Sequence, residues 1–574
     1  MKQKIWKNHS QNTSPPKSTS DIISLLLKNR HLESSLDIHN FLNPTLDIIK
    51  FNIGDIDDVI KRLSIAVQKK EKIVVYGDYD ADGVTATAIM WETLYALGAN
   101  VTPYIPHREK EGYGLSTIGI DHLFEKEQVQ LIITVDQGIS GKRQIDYAHS
   151  KNIEVIVTDH HSKPALLPTN CLIVHDSNVC GAAVSWKVAT QLLRYYREKF
   201  PDSIASSAKL EQITKINPIT NLPQKSMELL ELVAIGTICD LIPLVGESRS
   251  LVKFGLEALK STTRPGILAL LSLANLKPSD IQAYHVGFVI GPRINATGRL
   301  EHAIDSLRLL CTNNQTKANE LAQKLNTINT DRIDITFQMI NAAQFQANQQ
   351  QNKKLLIIGD PTWNPGVIGL VASRMVEEFY KPTIAWGSSP DHPEQIKASA
   401  RSIKSVNIIN TISQFHTHLT SHGGHPMAAG LSLNAASLAN FTKEIQQYAD
   451  TNITDELLIP TLDIDCQLPL PLITQELYYE IQNLKPFGMG AQEPIFQTPQ
   501  MNVLECSTLG AENKHLKLKI SSETNQIFEA IAFNFGTLSS QIRPNNPISL
   551  AYNIDINEWN NKKKLQLKVR DIKL

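Results

Sequence analysis

Five short apolar runs, KIVVYGD, VTPYIP, LIITVDQG, IEVIVTDHH and CLIVHD, recur between residues 71 and 175 with helical stretches between them. They are rich in valine and isoleucine and do not alternate with polar residues, so each suits a strand buried on both faces. Strands of that kind, alternating with helices, fold as a parallel sheet covered on both sides, which predicts a doubly wound α/β domain. In such a sheet the carboxyl ends of the strands line the crevice where ligands bind. Whatever stands just after these runs therefore converges.

What stands there is acidic. KIVVYGD leads into Asp78, Asp80 and Asp82, LIITV into Asp136, and IEVIVT into Asp159, His160 and His161. Carboxylates sharing one crevice repel and raise one another's pKa unless a cation sits among them. Oxygen ligands with one or two imidazoles and no thiolate favour manganese or magnesium over structural zinc. Two such ions, about 3.5 to 4 Å apart, suit the hydrolysis of a phosphoric ester or anhydride by in-line displacement. Each residue also has a plainer reading. An aspartate at a strand end often caps a helix or forms a turn, and adjacent histidines are commonly surface residues. DYDADG is not an EF-hand loop, because the position that requires glutamate holds Ile89.

The 574 residues allow three or four domains, and 42% hydrophobic content provides several cores. Lysine plus arginine number 56 against 57 acidic residues, so any nucleic-acid site must be a local patch. Six scattered cysteines, Cys171, Cys180, Cys239, Cys311, Cys466 and Cys506, lack zinc-knuckle or dithiol spacing and are read as reduced and structural. The first 20 or so residues are polar and predict a loose arm without a secretory signal, ahead of an amphipathic stretch at Ile22 to Leu27. No later stretch suits a bilayer span, so the cytoplasm is the expected compartment.

Leu321, Leu325, Ile328, Ile335 and Met339 recur at helical spacing and predict a long connecting helix. LLIIGD, GVIGLVASRMVEEF and PTIAW then predict a second, smaller α/β domain, with QYADTNITDE as its boundary. Beyond Leu457, the runs HLKLKI, EAIAFNF, ISLAYNI and KLQLKV predict a small β-barrel. Lys514, His515, Lys517, Lys519, Lys562, Lys563, Lys564, Lys568 and Arg570 accompany those strands, as a phosphate-tracking face or as solvated hairpins. Of Phe528, Phe533, Phe535, Tyr552 and Trp559 some must fill the barrel, so no stacking role is assigned. The expected divisions are 1–50 (arm and helices), 51–250, 251–351, 352–452 and 453–574.

The acidic strand ends, the Asp-His-His triplet and a later aspartate, Asp240 in GTICDLIPL, resemble the DHH phosphoesterase superfamily. The resemblance implies metal ligation by Asp78, Asp80, Asp136, His160 and Asp240, with Asp82, Asp159 and His161 completing the catalytic set. PHREKEGYGLS, GPRINATGRL, ASARSI, GGHPMAAGLSL and PFGMGAQEPIF resemble the RecJ exonucleases in particular, in that family's order. This implies a catalytic domain, a connecting helix, a DHH-associated domain and an oligonucleotide-binding (OB) fold. It also offers Arg108, Arg293, Arg299, Ser399 and Arg401 for a terminal phosphate, Asn295 as a further substrate contact, and Gly423, Gly424 and His425 near the scissile bond. The competing reading of each arginine is an ordinary ion pair. One departure is the quick passage from CLIVHDSN to VCGAAVSW, where relatives often carry a longer loop opening with asparagine and proline.

The implied activity is a 5′ to 3′ exonuclease that uses two Mn2+ or Mg2+ ions to release mononucleotides from single-stranded DNA in recombination and repair. It would act as a monomer, with a helicase and a single-strand binding protein as partners. A phosphodiesterase acting on short oligonucleotides or cyclic dinucleotides, and a non-catalytic scaffold, are the alternatives. The former tends to lack a terminal barrel and the latter to have lost metal ligands.

Overall fold

The computed structural model describes residues 4–9, 16–108, 110–521, 526–544, 546–559 and 562–574. The chain divides into two compact units, one of residues 33–330 with 484–492, the other of 1–32, 331–483 and 493–574.

The first unit is built on β1 (Lys72–Tyr76), β2 (Asn100–Tyr104), β3 (Leu131–Val135), β4 (Glu154–Asp159) and β5 (Leu172–His175). All pairings are parallel, in the order β2-β1-β3-β4-β5. The run from Ile73 to Tyr76 and that from Leu131 to Ile133 are fully buried, as their unalternating sequences require. Because the chain leaves β1 for one neighbour and returns to the other, the order reverses at β1, and a crevice opens at its carboxyl end.

Helices α1 (Ala81–Ala96), α2 (Gly181–Lys199) and α3 (Gln224–Cys239) pack beside that edge. Most of α1 is buried, which explains why ADGVTATAIM carries no polar stripe. Helix α4 (Gly291–Leu300) follows, and the predicted connecting helix is α5 (Gln315–Gln349), 35 residues long.

In the second unit, β6 (Leu356–Gly359), β7 (Thr383–Ser389), β8 (His392–Arg401), β9 (Ser421–His425) and β10 (Ala428–Asn434) form a mixed sheet in the order β9-β10-β8-β7-β6. Ile384, Ala398, Ala400, Ala429 and Leu431 pack into a core with Phe441 and Ile445 of α7 (Leu438–Asn452). Across the sheet lies α6 (Ile368–Phe379).

A barrel follows, made of β12 (Phe496–Leu509), β13 (His515–Ser521), β14 (Ile527–Ala532), β15 (Pro547–Trp559) and β16 (Lys562–Lys573), with β11 (Cys466–Gln467) beside β12. It closes through β12 to β15, and with β14 beside β16 in parallel the five long strands take the cyclic order of an OB barrel. The expected short strands are only partly so. β12, β15 and β16 run 14, 13 and 12 residues, with bulges that bend them around the barrel.

The loose arm is corrected at its start. Ile5–Asn8 is a strand paired in parallel with Thr461–Ile464, and the Trp6 indole donates to Asp571 (2.7 Å) beneath the Lys573 ammonium. Four residues are too few to show a period in sequence. Residues 10–15 of the expected arm lie outside those described. The expected helix at Ile22 is Thr19–Asn29, capped by Ser18. No described helix is long and apolar enough to cross a membrane.

Candidate metal centre

β1, β3 and β4 end side by side, and the chain turns at each end to aim an acid into the crevice. Oxygens of Asp78, Asp80 and Asp136 lie within 4.8 Å of one another, as do ligand atoms of Asp82, His160 and Asp240, and of Asp136, His160 and His161. His160 Nε2 stands 3.1 Å from Asp136, 3.6 Å from Asp240 and 3.8 Å from Asp82. Asp136 adopts φ 60°, a left-handed conformation that Asp tolerates better than most residues and that turns its carboxylate back toward β1.

The plainer readings hold for part of this set. Asp80 caps α1, one oxygen accepting from Asp82 N–H and Gly83 N–H at 3.0 Å each. Asp82 is tied across the site, accepting from Gly181 N–H (2.6 Å) and Ala182 N–H (2.9 Å) at the start of α2. Asp159 accepts from the amides of Ile139, His160 and His161 and from the His161 ring at 2.8 Å. It therefore orients the triplet from behind, while the other His161 ring nitrogen faces the Tyr113 hydroxyl (3.1 Å).

Asp78 Oδ1, Asp136 Oδ1 and His160 Nε2 are buried with no hydrogen-bond partner. Orphaned anionic oxygens beside an orphaned imidazole nitrogen are costly unless a cation joins them, so this donor set fits divalent metal. Burial and mutual repulsion push the carboxyls of Asp78, Asp80 and Asp136 above the usual range, and Asp240 to about 8. Burial holds His160 low, in the neutral form that ligates. For His161, burial is outweighed by the Asp159 hydrogen bond and charge, and its pKa rises to about 9.

A raised carboxyl pKa means that a proton stays until the pH approaches that value and must leave when a cation enters. Mn2+ affinity should accordingly climb with pH through the range up to about 8 in which Asp240 loses its proton, with proton release visible as buffer-dependent titration heats. In cation-free protein the Asp240 carboxyl favours the fold in acid and ceases to do so as pH rises from 3.8 through about 8. An affinity flat between pH 6 and 8 would contradict this.

Sequence reading missed the glycines that make room. A methyl group on Gly181 would stand 2.4 Å from Asp136 Oδ1, and one on Gly236 2.4 Å from Asp82 Oδ1. The only hint was the small-residue run CGAA.

The phosphate candidates fall in two groups. In the first unit, Asn295 Oδ1 accepts from Ala81 N–H (2.7 Å) and steadies the acidic loop. Arg108 lies 5.0 Å over the Tyr79 ring, Arg293 donates to Asn326 and Val289, and Arg299 follows Gly298, which packs on the Tyr79 carbonyl. In the second unit, Gly423, Gly430 and Ser399 are in register across β9, β10 and β8, as are His425, Ala428 and Arg401. Residues in register share a face, so Ser399, Arg401 and His425 surround a floor without bulky side chains, on the face opposite the core. Arg401 donates to Ser399 Oγ (2.9 Å), and the start of α6 at Gly369 approaches both. Gly424 has φ 145° and no room for a side chain.

On the barrel, Lys514, Lys517, Lys519, Lys563 and Arg570 each lie within 4 Å of a carboxylate, which favours the hairpin reading for those residues. Phe528, Phe535 and Tyr552 are buried, Phe533 is half exposed, and the side chains of Trp559 and Lys562 lie outside those described.

Residues 72–237 match the DHH family N-terminal domain, 351–451 the DHHA1 domain, and 464–571 the RecJ OB domain. The chain is 32% identical over 572 residues to the single-stranded-DNA-specific exonuclease RecJ of Haemophilus influenzae, covering 96% of each chain. It is 35% identical to the Bacillus subtilis exonuclease of that name, covering 91% of this chain and 64% of the relative. The crystal structure of RecJ from Thermus thermophilus in complex with Mn2+ superposes with a TM-score of 0.81 at 26% identity, covering 99% of this chain and 79% of that one.

Proposed function

Since this chain belongs to the RecJ family of single-stranded-DNA-specific exonucleases, we propose that it hydrolyses single-stranded DNA from the 5′ end to mononucleotides. One observation carries the reading: buried carboxylate oxygens and an imidazole nitrogen meet without partners at the carboxyl edge of a parallel sheet. Two divalent cations, Mn2+ or Mg2+, held by Asp78, Asp80, Asp136, His160 and Asp240, would neutralise charge on the scissile phosphate and lower the pKa of the attacking water.

The remaining residues position the site. Asp82 fixes the start of α2 against the acidic loop, and Asp159 fixes His161. His161, held by Asp159 through Nδ1, rests its Nε2 on the Tyr113 hydroxyl (3.1 Å) beside Asp136 and His160, so the pair borders the place where the scissile phosphate would lie. Replacing Asp159 by asparagine loosens the turn that carries His160, whose amide donates to Asp159 at 2.7 Å, and should lower Mn2+ affinity by about 10- to 100-fold, read by calorimetry. An unchanged affinity would deny Asp159 the positioning role.

Residues 51–250 would carry the chemistry, 251–351 the connection, 352–452 the terminal-phosphate face of Ser399, Arg401 and His425, and 453–574 the grip on the strand. Arg108, Arg293 and Arg299 supply forked donors for backbone phosphates of the bound strand. The protein would work as a cytoplasmic monomer beside a helicase that opens duplex DNA and a single-strand binding protein. Arg401→Ala should weaken binding of 5′-phosphorylated strands about tenfold and leave unphosphorylated ones nearly unchanged, as loss of a charge-assisted phosphate contact requires. Equal losses would remove the terminal pocket. The activity itself is tested with 5′-labelled and 3′-labelled oligonucleotides in Mn2+. Immediate release of labelled mononucleotide from the 5′-labelled strand alone is expected, and internal cutting or release from the 3′ end would overturn the reading.

A further inference from the structure

The segment PFGMGAQ supplies no ligand to the metal centre, yet it lies against the loop that follows Asp240. Residues 484–492 belong to the first unit, although the chain before and after them belongs to the second. Gly488 and Ala491 exchange backbone hydrogen bonds (3.1 and 3.2 Å), which closes a tight turn with Met489 and Gly490 at its tip. Gly490 takes φ 70°, the value at the second central position of such a turn that favours glycine. The tip seats on Pro243 and Leu244. Leu244 N–H donates to the Met489 carbonyl (2.7 Å), and a methyl group on Gly490 would stand 2.9 Å from Pro243 Cβ.

The base of the turn is caged by Arg249. Its guanidinium is 1% exposed, lies over the Phe41 ring (3.6 Å) and donates to the carbonyls of Leu484 (2.8 Å), Lys485 (2.8 Å), Pro486 (3.2 Å) and Phe41 (2.8 Å). A rigid fork spread over four carbonyls fixes a stretch of chain that has no helix or strand of its own. The two residues before it are also tied down. Glu247 pairs with Lys187 of α2 (2.6 Å), and Ser248 Oγ donates to the Asn178 carbonyl (2.9 Å).

Asp240 needs such support. Asp80, Asp82 and Asp159 accept backbone amides, whereas the Asp240 carboxylate accepts none among the described residues. Its place is therefore set by its backbone, which leaves α3 through Leu241 at φ 59°. A bulky residue holds that left-handed conformation only where the surroundings impose it, and the Leu241 side chain is itself 64% exposed. The constraint comes from further along the loop, where the Met489–Gly490 tip grips Pro243 and Leu244.

We propose that Arg249 and the turn at Met489–Gly490 are positioning elements that hold the metal ligand Asp240 in place through the Pro243–Leu244 backbone. The proposal rests on the metal-dependent reading above and adds the residues that set one of its ligands.

The test is calorimetric Mn2+ titration of the full-length protein without DNA, beside steady-state rates on a 5′-phosphorylated strand. Gly490→Ala pushes the tip off Pro243. Gly98→Ala is its control, because Gly98 shares the left-handed conformation (φ 81°) but has only Lys70 Nζ near it, at 3.7 Å. Gly490→Ala should lose Mn2+ affinity about tenfold, with kcat falling and KM for DNA unchanged, while Gly98→Ala binds Mn2+ like the parent. Arg249→Lys, which keeps the charge and loses the fork, should weaken Mn2+ in the same direction. Asp240→Asn removes the ligand but leaves the group of Asp78, Asp80 and Asp136. In that background Gly490→Ala and Arg249→Lys should alter Mn2+ affinity by less than about twofold, because their effect runs through Asp240. Unchanged affinity in both variants would overturn the proposal. So would an equal loss with and without the Asp240 carboxylate, the mark of general destabilisation. Should Gly490→Ala fail to fold, Arg249→Lys decides through the same cycle. A parent that bound no Mn2+ would instead defeat the metal reading itself.

Discussion

Asp136→Ala should fold and melt within a few degrees of the parent, yet hydrolyse single-stranded DNA at least about a thousandfold more slowly at saturating Mn2+. Asp136 is 2% exposed and belongs to two of the three ligand groups, so its loss opens the centre rather than trimming its rim. Stability behaves differently. The carboxyl is buried among like charges without a hydrogen-bond partner for Oδ1, and removing it relieves repulsion in cation-free protein. Against that gain stands alanine at φ 60°, a strain of roughly 1 to 2 kcal/mol. Circular dichroism and a single-turnover assay read the two effects separately. Residual activity above a tenth of the parent would show that Asp136 is not at the centre of the chemistry.

Gly181→Ala should be nearly as damaging, although glycine ligates nothing. The added methyl group would lie 2.4 to 2.6 Å from three atoms of the Asp136 side chain, whose backbone is already held at an unusual angle. Asp136 or α2 must give way by about an ångström, and a misplacement of that size costs about 100-fold in rate. The shift also drags the Gly181 amide, which donates to Asp82 at 2.6 Å. Mn2+ affinity should fall with the rate, and excess Mn2+ should recover part of it. Full activity in Gly181→Ala would mean that the crevice is looser than its geometry.

Much of this is legible in the sequence. The unalternating, valine- and isoleucine-rich runs KIVVYGD, LIITV and IEVIVT, separated by helical stretches, suit strands of a covered parallel sheet, and that topology brings their acidic ends together. The connecting helix announced itself through Leu321, Leu325 and Ile328. Other parts were silent for physical reasons. Asp80 both caps a helix and sits among possible ligands, and sequence cannot separate roles that one carboxylate fills at once. The importance of Gly181 depends on a neighbour 45 positions away in sequence. Ile5–Asn8 is a strand only because Thr461–Ile464 pairs with it, a long-range fact with no local period.

Everything here depends on divalent cations bridging carboxylates from β1 and β3, the imidazole after β4 and Asp240 beyond α3. Diffraction at the manganese absorption edge from crystals grown with Mn2+ measures this most directly. The account predicts anomalous peaks enclosed by Asp78, Asp80, Asp136, His160 and Asp240. Peaks elsewhere, with these side chains hydrogen-bonded only to protein and water, would contradict it.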